Sequence, residues 1–152
     1  MNTLDDVYRK FGEVSEAAQL LETQLGNIIL AKRGHECDLF SVQDPALARE
    51  ILDGISKSTL GRLINQLAPM VQTEEELDRL LRDALHARNR LAHRFYREHN
   101  LRRNSPEGRA VMLADLQELH DTIINAHRAA LAISGIDLDK IQVVSPTRHL
   151  PI

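Results

Sequence analysis

The sequence predicts an all-α fold, a helical bundle of three long helices with a short helical pair inserted between the first and the second. Three observations carry this expectation. Apolar residues return at alternating steps of three and four along extended stretches, as one face of a helix requires. No stretch shows the strict alternation of a half-buried strand, and no internal repeat or low-complexity tract interrupts the pattern. Aromatic residues make up only 3% of the chain and Trp is absent, so the core has to be assembled from Leu, Ile, Val and Ala, which suits packed helices. The 152 residues, 43% of them hydrophobic and 27% charged, fit one globular domain. A chain of that length buries roughly 70% of its unfolded surface and needs neither disulfide nor metal to hold a core.

The first long helix is expected over residues 3 to 32, where Leu4, Val7, Phe11, Val14, Ala18, Leu21, Leu25 and Ile28 share a face. Thr3 or Asn2 can cap it, Asp5 and Asp6 sit favourably in its first turn, and Gly34 is expected to end it. Residues 34 to 43 read as a loop. Asp44-Pro45 is a capping side chain followed by proline at the first helical position, and it opens a short helix from Ala46 to about Ile55. Gly54 and Ser56-Lys57-Ser58 separate this helix from a second short one, Leu60 to Leu67, which ends near Pro69. Thr73-Glu74-Glu75-Glu76 has the form of a capping box, with Thr73 as cap, and starts a second long helix running to about His99. Ser105-Pro106-Glu107 starts the last long helix, expected to reach Ser134 and stop at Gly135. Residues 136–152 lack periodicity and contain Pro146 and Pro151. The expected organisation is therefore a bundle over 1–135 and an irregular tail over 136–152.

Composition excludes several classes of function. A single cysteine, Cys37, rules out an intrachain disulfide and fits a reducing compartment. The acidic start Met-Asn-Thr-Leu-Asp-Asp lacks the order of a signal peptide, and no apolar run approaches the roughly 20 residues needed to span a bilayer. The expectation is a soluble, cytoplasmic protein without a membrane partner. The net charge of −3 is unevenly spread. Between His86 and Arg103, six arginines face one acid, Glu98, so this segment carries +5 and the rest of the chain −8. A basic patch on an acidic protein implies a specific anionic partner rather than general adhesion.

The helix expected from Glu74 to His99 concentrates the chemistry. At 100° per residue, Leu77, Leu81, Ala84, Leu91 and Phe95 form one narrow apolar stripe, and Arg88 falls on its midline. An arginine in that position needs an acidic partner or a solvent-filled cleft, because an unpaired buried charge costs several kcal/mol. His93 lies about 140° around the helix from Arg88, beside Asn89 one turn earlier and Arg97 one turn later. For Arg88 and His93 to act together, a second copy of the chain has to turn the outer face into a cleft wall.

Arg88-Asn89-Arg90-Leu91-Ala92-His93, on the penultimate long helix of a small helical bundle, resembles the signature of the HEPN superfamily: an arginine, a polar residue after it, and a histidine a few positions on. The resemblance in architecture extends over most of residues 1 to 135, whereas only the short motif is specific. It implies a homodimer with a composite cleft and a metal-independent endoribonuclease activity that needs no cofactor. In that activity the ribose 2′-hydroxyl attacks its own phosphate. Arg88, Asn89 and His93 would be the catalytic residues: Arg88 clamping the phosphate, Asn89 orienting it or the histidine, and His93 relaying protons near neutral pH. Arg90, Arg94 and Arg97 would track the RNA backbone. A toxin, phage-defence or stress setting would add a cognate antitoxin or regulatory protein as partner. Some toxin members carry a tyrosine two residues after the histidine. Phe95 stands there in this chain, with Tyr96 next to it, so modification at that site does not carry over. With Phe95 and Tyr96 as the only aromatics near the motif, sequence-specific reading of RNA is not expected.

The alternative from another class is a non-catalytic HEPN-like module for dimerisation or partner binding. In that case Arg88 should be tied into an intramolecular ion pair, and His93 should not face a basic cleft.

Other residues are explained structurally. His120 and His127, seven apart, project onto the apolar stripe of the last helix and are expected in the core or an interface. His35-Glu36-Cys37 cannot close a metal site from consecutive loop positions. Thr59-Leu60-Gly61-Arg62-Leu63-Ile64 lacks the glycine and lysine spacing of a phosphate loop, which leaves Gly61 as a close helix contact.

Overall fold

A computed structural model of the chain describes residues 2–39, 43–71 and 74–134. These residues are helical throughout their regular structure, with no strand among them. Helix α1 spans Leu4–Glu36, α2 Pro45–Ser56, α3 Leu60–Val71, α4 Glu75–His93, α5 Phe95–His99 and α6 Pro106–Ile133, and a 3-10 turn at Asn100–Asn104 joins the last two. Among them no helix is long and apolar enough to cross a membrane.

The starts of three helices follow from local chemistry. The Thr3 hydroxyl accepts the Asp6 N–H at 3.1 Å while the Asp6 carboxylate accepts the Thr3 N–H at 2.8 Å, so two orphan donors of α1 are satisfied reciprocally. Asp44 accepts the Leu47 N–H at 3.1 Å ahead of Pro45, and Ser105 accepts the Gly108 N–H at 3.0 Å ahead of Pro106. Thr73 lies outside the described residues. Glu74, at the cap position of α4, makes no capping hydrogen bond through its side chain. Gly135 and the tail over 136–152 also lie outside the described residues.

Three expected boundaries move. α1 does not stop at Gly34 but continues to Glu36, with Gly34 buried inside its last turns. A helical glycine costs about 1 kcal/mol relative to alanine. The buried Ile28 and Ile29 just before it, and a hydrogen bond from Arg33 to Gln66 of α3 at 3.1 Å, outweigh that cost. α3 likewise runs through Pro69 to Val71, since a proline this near the end disturbs only one turn.

The third change matters most. The helix expected to reach His99 ends at His93, where Arg94 leaves helical geometry at φ −130°, ψ −19°, and α5 starts anew at Phe95. At the far end of α5 the chain turns through Asn100 with φ 47°, ψ −115°, a positive φ that asparagine tolerates better than most side chains.

α6 lies against both α1 and α4, α3 bridges α1 and α4, and α2 packs on α1. The shared core is aliphatic, as the composition required: Leu21, Leu25 and Ile29 of α1, Leu81 of α4 and Met112, Leu116 and Ile123 of α6 are fully buried. Phe95 is the largest side chain buried to that degree, so the short α5 is anchored rather than appended.

Two glycines mark places where backbone meets neighbour. A Cβ on Gly26 would stand 2.7 Å from the Ile55 methyl, where α2 presses onto α1. A Cβ on Gly108 would overlap the Arg102 carbonyl, where the 3-10 turn folds onto the start of α6. Gly61, by contrast, meets Leu85 at an ordinary 3.5 Å. Gly108→Ala should therefore lower stability by about 2 kcal/mol, the clash being with backbone that cannot rotate away. Gly12→Ala, whose added methyl meets nothing within 4 Å inside α1, should raise stability by about 0.5–1 kcal/mol. Urea midpoints followed by circular dichroism separate the two.

Candidate functional site

A cleft of about 680 Å³ runs along one side of α1, with residues of α2, α3 and α4 forming the other wall. Its floor is apolar, with Ala18, Gly26, Leu63 and Leu91, and its rim polar, with Ser15, Gln19, Glu22, Asn27 and Arg88. Arg88 therefore resolves the sequence anomaly in both of the ways open to it. It lines a cleft, and it pairs with Glu22 of α1 at 3.4 Å. Its guanidinium also donates to the Asn89 side-chain oxygen at 3.2 Å, so the first two residues of the motif are in direct contact.

His93 is elsewhere. It is the last residue of α4, exposed, and its side chain makes no hydrogen bond or ion pair among the described residues. It does not line the cleft, although Ala92 does. Arg88 and His93 are thus fixed to one helix on two different faces, and a single protomer does not bring them together. Arg97 follows on α5, exposed and free of any ion pair among the described residues. Arg94 is half exposed and only loosely associated with Glu98 at 3.8 Å.

Arg90 has a different task from the one expected of an RNA-tracking arginine. Its Nη1 and Nη2 donate to the two oxygens of Asp115 on α6 at 2.6 and 2.7 Å, and its Nε donates to Glu98 at 2.6 Å. The fork is saturated by two carboxylates of its own chain. Asp115 also meets His99 Nε2 at 2.6 Å, and the other ring nitrogen, Nδ1, faces Arg102 at 3.1 Å. Arginine only donates, so Nδ1 accepts and the ring proton sits on Nε2, directed at Asp115.

Burial raises the Asp115 carboxyl, but the hydrogen bonds from Arg90 and His99 and the adjacent charge outweigh it and hold the group below its ordinary value. The hydrogen bonds to Asp115 and Glu98 push Arg90 upward against the opposing effect of burial. This network explains the helix break. Beyond Arg94 the chain is held by Phe95 in the core, by Glu98 reaching back to Arg90 and by buried His99 on Asp115.

Four residues important to this region were not singled out from sequence. Glu22 is an acid beside Ala18 and Leu25 at the edge of the apolar face of α1, which is the one hint that it has a partner. Asp115 carries no local signal. Tyr8 and Phe11 are separated by one helical turn on α1; Phe11 lies 5.4 Å from Tyr96 and 5.7 Å from Phe95, and the Tyr8 hydroxyl accepts from Arg103. Burial raises the Tyr96 hydroxyl, with nearby Tyr8 adding to the effect and Arg103 opposing it.

His120 and His127 are half-buried on α6, and burial lowers the His127 imidazole. Among the described residues no cluster of three or more His, Cys, Asp or Glu side chains is placed to hold a metal ion. No protein-family model, no curated protein and no solved structure matches this chain.

Asp115→Asn should destabilise the fold by about 2 kcal/mol or more, because it leaves Arg90 and His99 facing a neutral amide in a half-buried site. Because the folded-state carboxyl titrates below 3.8, its contribution is present above that pH and is lost as pH falls through the depressed value. Acid unfolding of the wild type should consequently be steeper than that of Asp115→Asn, compared by circular dichroism from neutral pH downward.

Proposed function

We propose that the chain is a metal-independent endoribonuclease of HEPN type that acts as a homodimer, its three long helices and inserted short pair forming a HEPN-like bundle. The observation that carries this reading is the division of the motif on α4: Arg88 in a polar-rimmed cleft, and five residues on an exposed His93 that serves no structural contact. A histidine and an arginine on opposite sides of one helix become a site when a two-fold axis sets one against the other's copy.

Each composite site then takes Arg88 and Asn89 from one protomer and His93 from the other. The 2′-oxygen attacks phosphorus and displaces the 5′-oxygen. His93 takes the proton from the 2′-hydroxyl and delivers it to the leaving oxygen, leaving a 2′,3′-cyclic phosphate and a 5′-hydroxyl. Arg88 exchanges Glu22 for the phosphate and offsets the charge that grows on its oxygens. Arg94 and Arg97 meet the flanking phosphates, and Arg90 holds the helix end. The setting that goes with this activity is cytoplasmic and of toxin, phage-defence or stress type, with a cognate antitoxin or regulatory protein as a further partner, an association made at the level of fold.

Two observations favour a second reading. Arg88 is already paired with Glu22 within its own chain, and His93 does not face the cleft, as a non-catalytic dimerisation or partner-binding module of the same fold requires.

Cleavage of a mixed RNA pool in EDTA separates the two. The wild type should cut, and His93→Ala and Arg88→Ala should each lose about 10²–10⁴-fold while remaining folded. Mixing the two inactive variants should restore about a quarter of wild-type activity, since half of the dimers are mixed and each of these has one intact site of two. If neither the wild type nor the mixture cuts, the binding module is the correct reading.

A further inference from the structure

Three of the five Phe and Tyr residues of the chain are in ring contact, although they come from two distant segments, and a fourth, Tyr8, is near enough to act on the Tyr96 hydroxyl. Phe95 is buried and Phe11 half-buried beneath Tyr96, with the Phe11 and Tyr96 rings 5.4 Å apart and inclined by 32°. Phe95 meets the edge of Tyr96 at 5.3 Å and 84°. The outer layer is different. Tyr8 is 46% and Tyr96 38% exposed, the two aromatic side chains among the exposed large hydrophobic ones of the described residues. Arg103 donates to the Tyr8 hydroxyl at 2.8 Å and has no carboxylate partner among the described residues. Arg97 adjoins Tyr96 in the chain and likewise has no carboxylate partner among the described residues. Phe11 also lines the cleft that contains Arg88, so the aromatic cluster borders on that cleft through Phe11.

We propose that Tyr8 and Tyr96, flanked by Arg97 and Arg103, form a stacking platform for an unpaired nucleobase of single-stranded RNA. This inference rests on the ribonuclease reading and deepens it. Rigid, well-supported rings open to solvent offer the flat surface on which a base stacks, and unpaired guanidinium groups beside them match the phosphates on either side. An uncharged aromatic or proline-rich peptide would use the rings and leave the arginines without counter-charge. A duplex would offer phosphates and no free base. An unpaired nucleic acid strand uses both features at a regular spacing.

The chain has two tyrosines and no tryptophan, so its intrinsic fluorescence comes from this platform alone. The test uses the full-length His93→Ala protein, which does not consume its ligand. It is titrated with an oligouridylate of about ten nucleotides, with an abasic strand of equal length and charge, with an RNA duplex and with a proline-rich peptide. Oligouridylate should quench tyrosine emission, and the abasic strand should not. By anisotropy, Tyr96→Leu and Tyr8→Leu should each weaken oligouridylate binding at least about fivefold, and Tyr96→Phe should retain it.

If Tyr96→Leu loses helicity, the half-exposed Tyr8→Leu decides. Equal binding and quenching by the abasic strand, binding of duplex as tight as single strand, quenching by the peptide alone, or unchanged affinity in the leucine variants would each overturn the proposal. The two readings fail separately. Quenching in a protein whose wild type never cuts RNA removes the nuclease and keeps the platform. Cleavage by the wild type with no quenching keeps the nuclease and removes the platform.

Discussion

The contact on which the arrangement of this molecule depends is the fork between Arg90 and Asp115. Burial of Leu, Ile and Met side chains supplies most of the free energy that holds α1, α4 and α6 together, but it is non-directional and tolerates sliding. The Arg90–Asp115 pair has direction. Two parallel charge-assisted hydrogen bonds fix α4 against α6 in one register, and Glu98 and His99 close on the same two groups from beyond the break. α4 therefore stops where it does because the next turn of chain is claimed by partners on α4 and α6. The helix end created in this way is where His93 stands without partners.

How much of this could be read from the sequence depends on the range of the interactions involved. Thr3, Asp44-Pro45 and Ser105-Pro106 announce their helices because capping is settled within three or four residues. The odd position of Arg88 was equally visible, since a charge on an apolar stripe is a local contradiction. The break at Arg94 was hidden. No glycine or proline marks it, and its cause lies in His99 and Asp115, the latter 25 residues from Arg90. The same distance effect misassigned Gly34, whose low helical propensity is overridden by packing. It also concealed the meeting of Phe11 with Tyr96, since α1 and α5 lie far apart in the chain. Arg90 stands in the motif beside Arg88 and looks in sequence like any other member of the basic run. Only its neighbour across space shows that it is a structural cation.

The basic run thus divides into two populations. Arg90 is saturated by carboxylates and Arg102 is turned inward to His99, while Arg97 and Arg103 have no acidic partner among the described residues. The positive field that a linear count assigns to the whole segment is therefore produced at fewer places, close to the exposed tyrosines and to the end of α4. On a protein whose remaining residues are net acidic, such local focusing orients an approaching polyanion before contact.

Arg88 and His93 are carried on the same stiff helix, five residues apart, and no motion within one chain changes the angle between them. For a composite site this fixes the kinetic order. A dilute preparation works at a rate proportional to the square of its concentration, because only encounters between copies create a site. Under the proposed dimeric reading, halving the amount of protein then quarters the output, and the level of synthesis alone would hold such an activity near zero without any inhibitor.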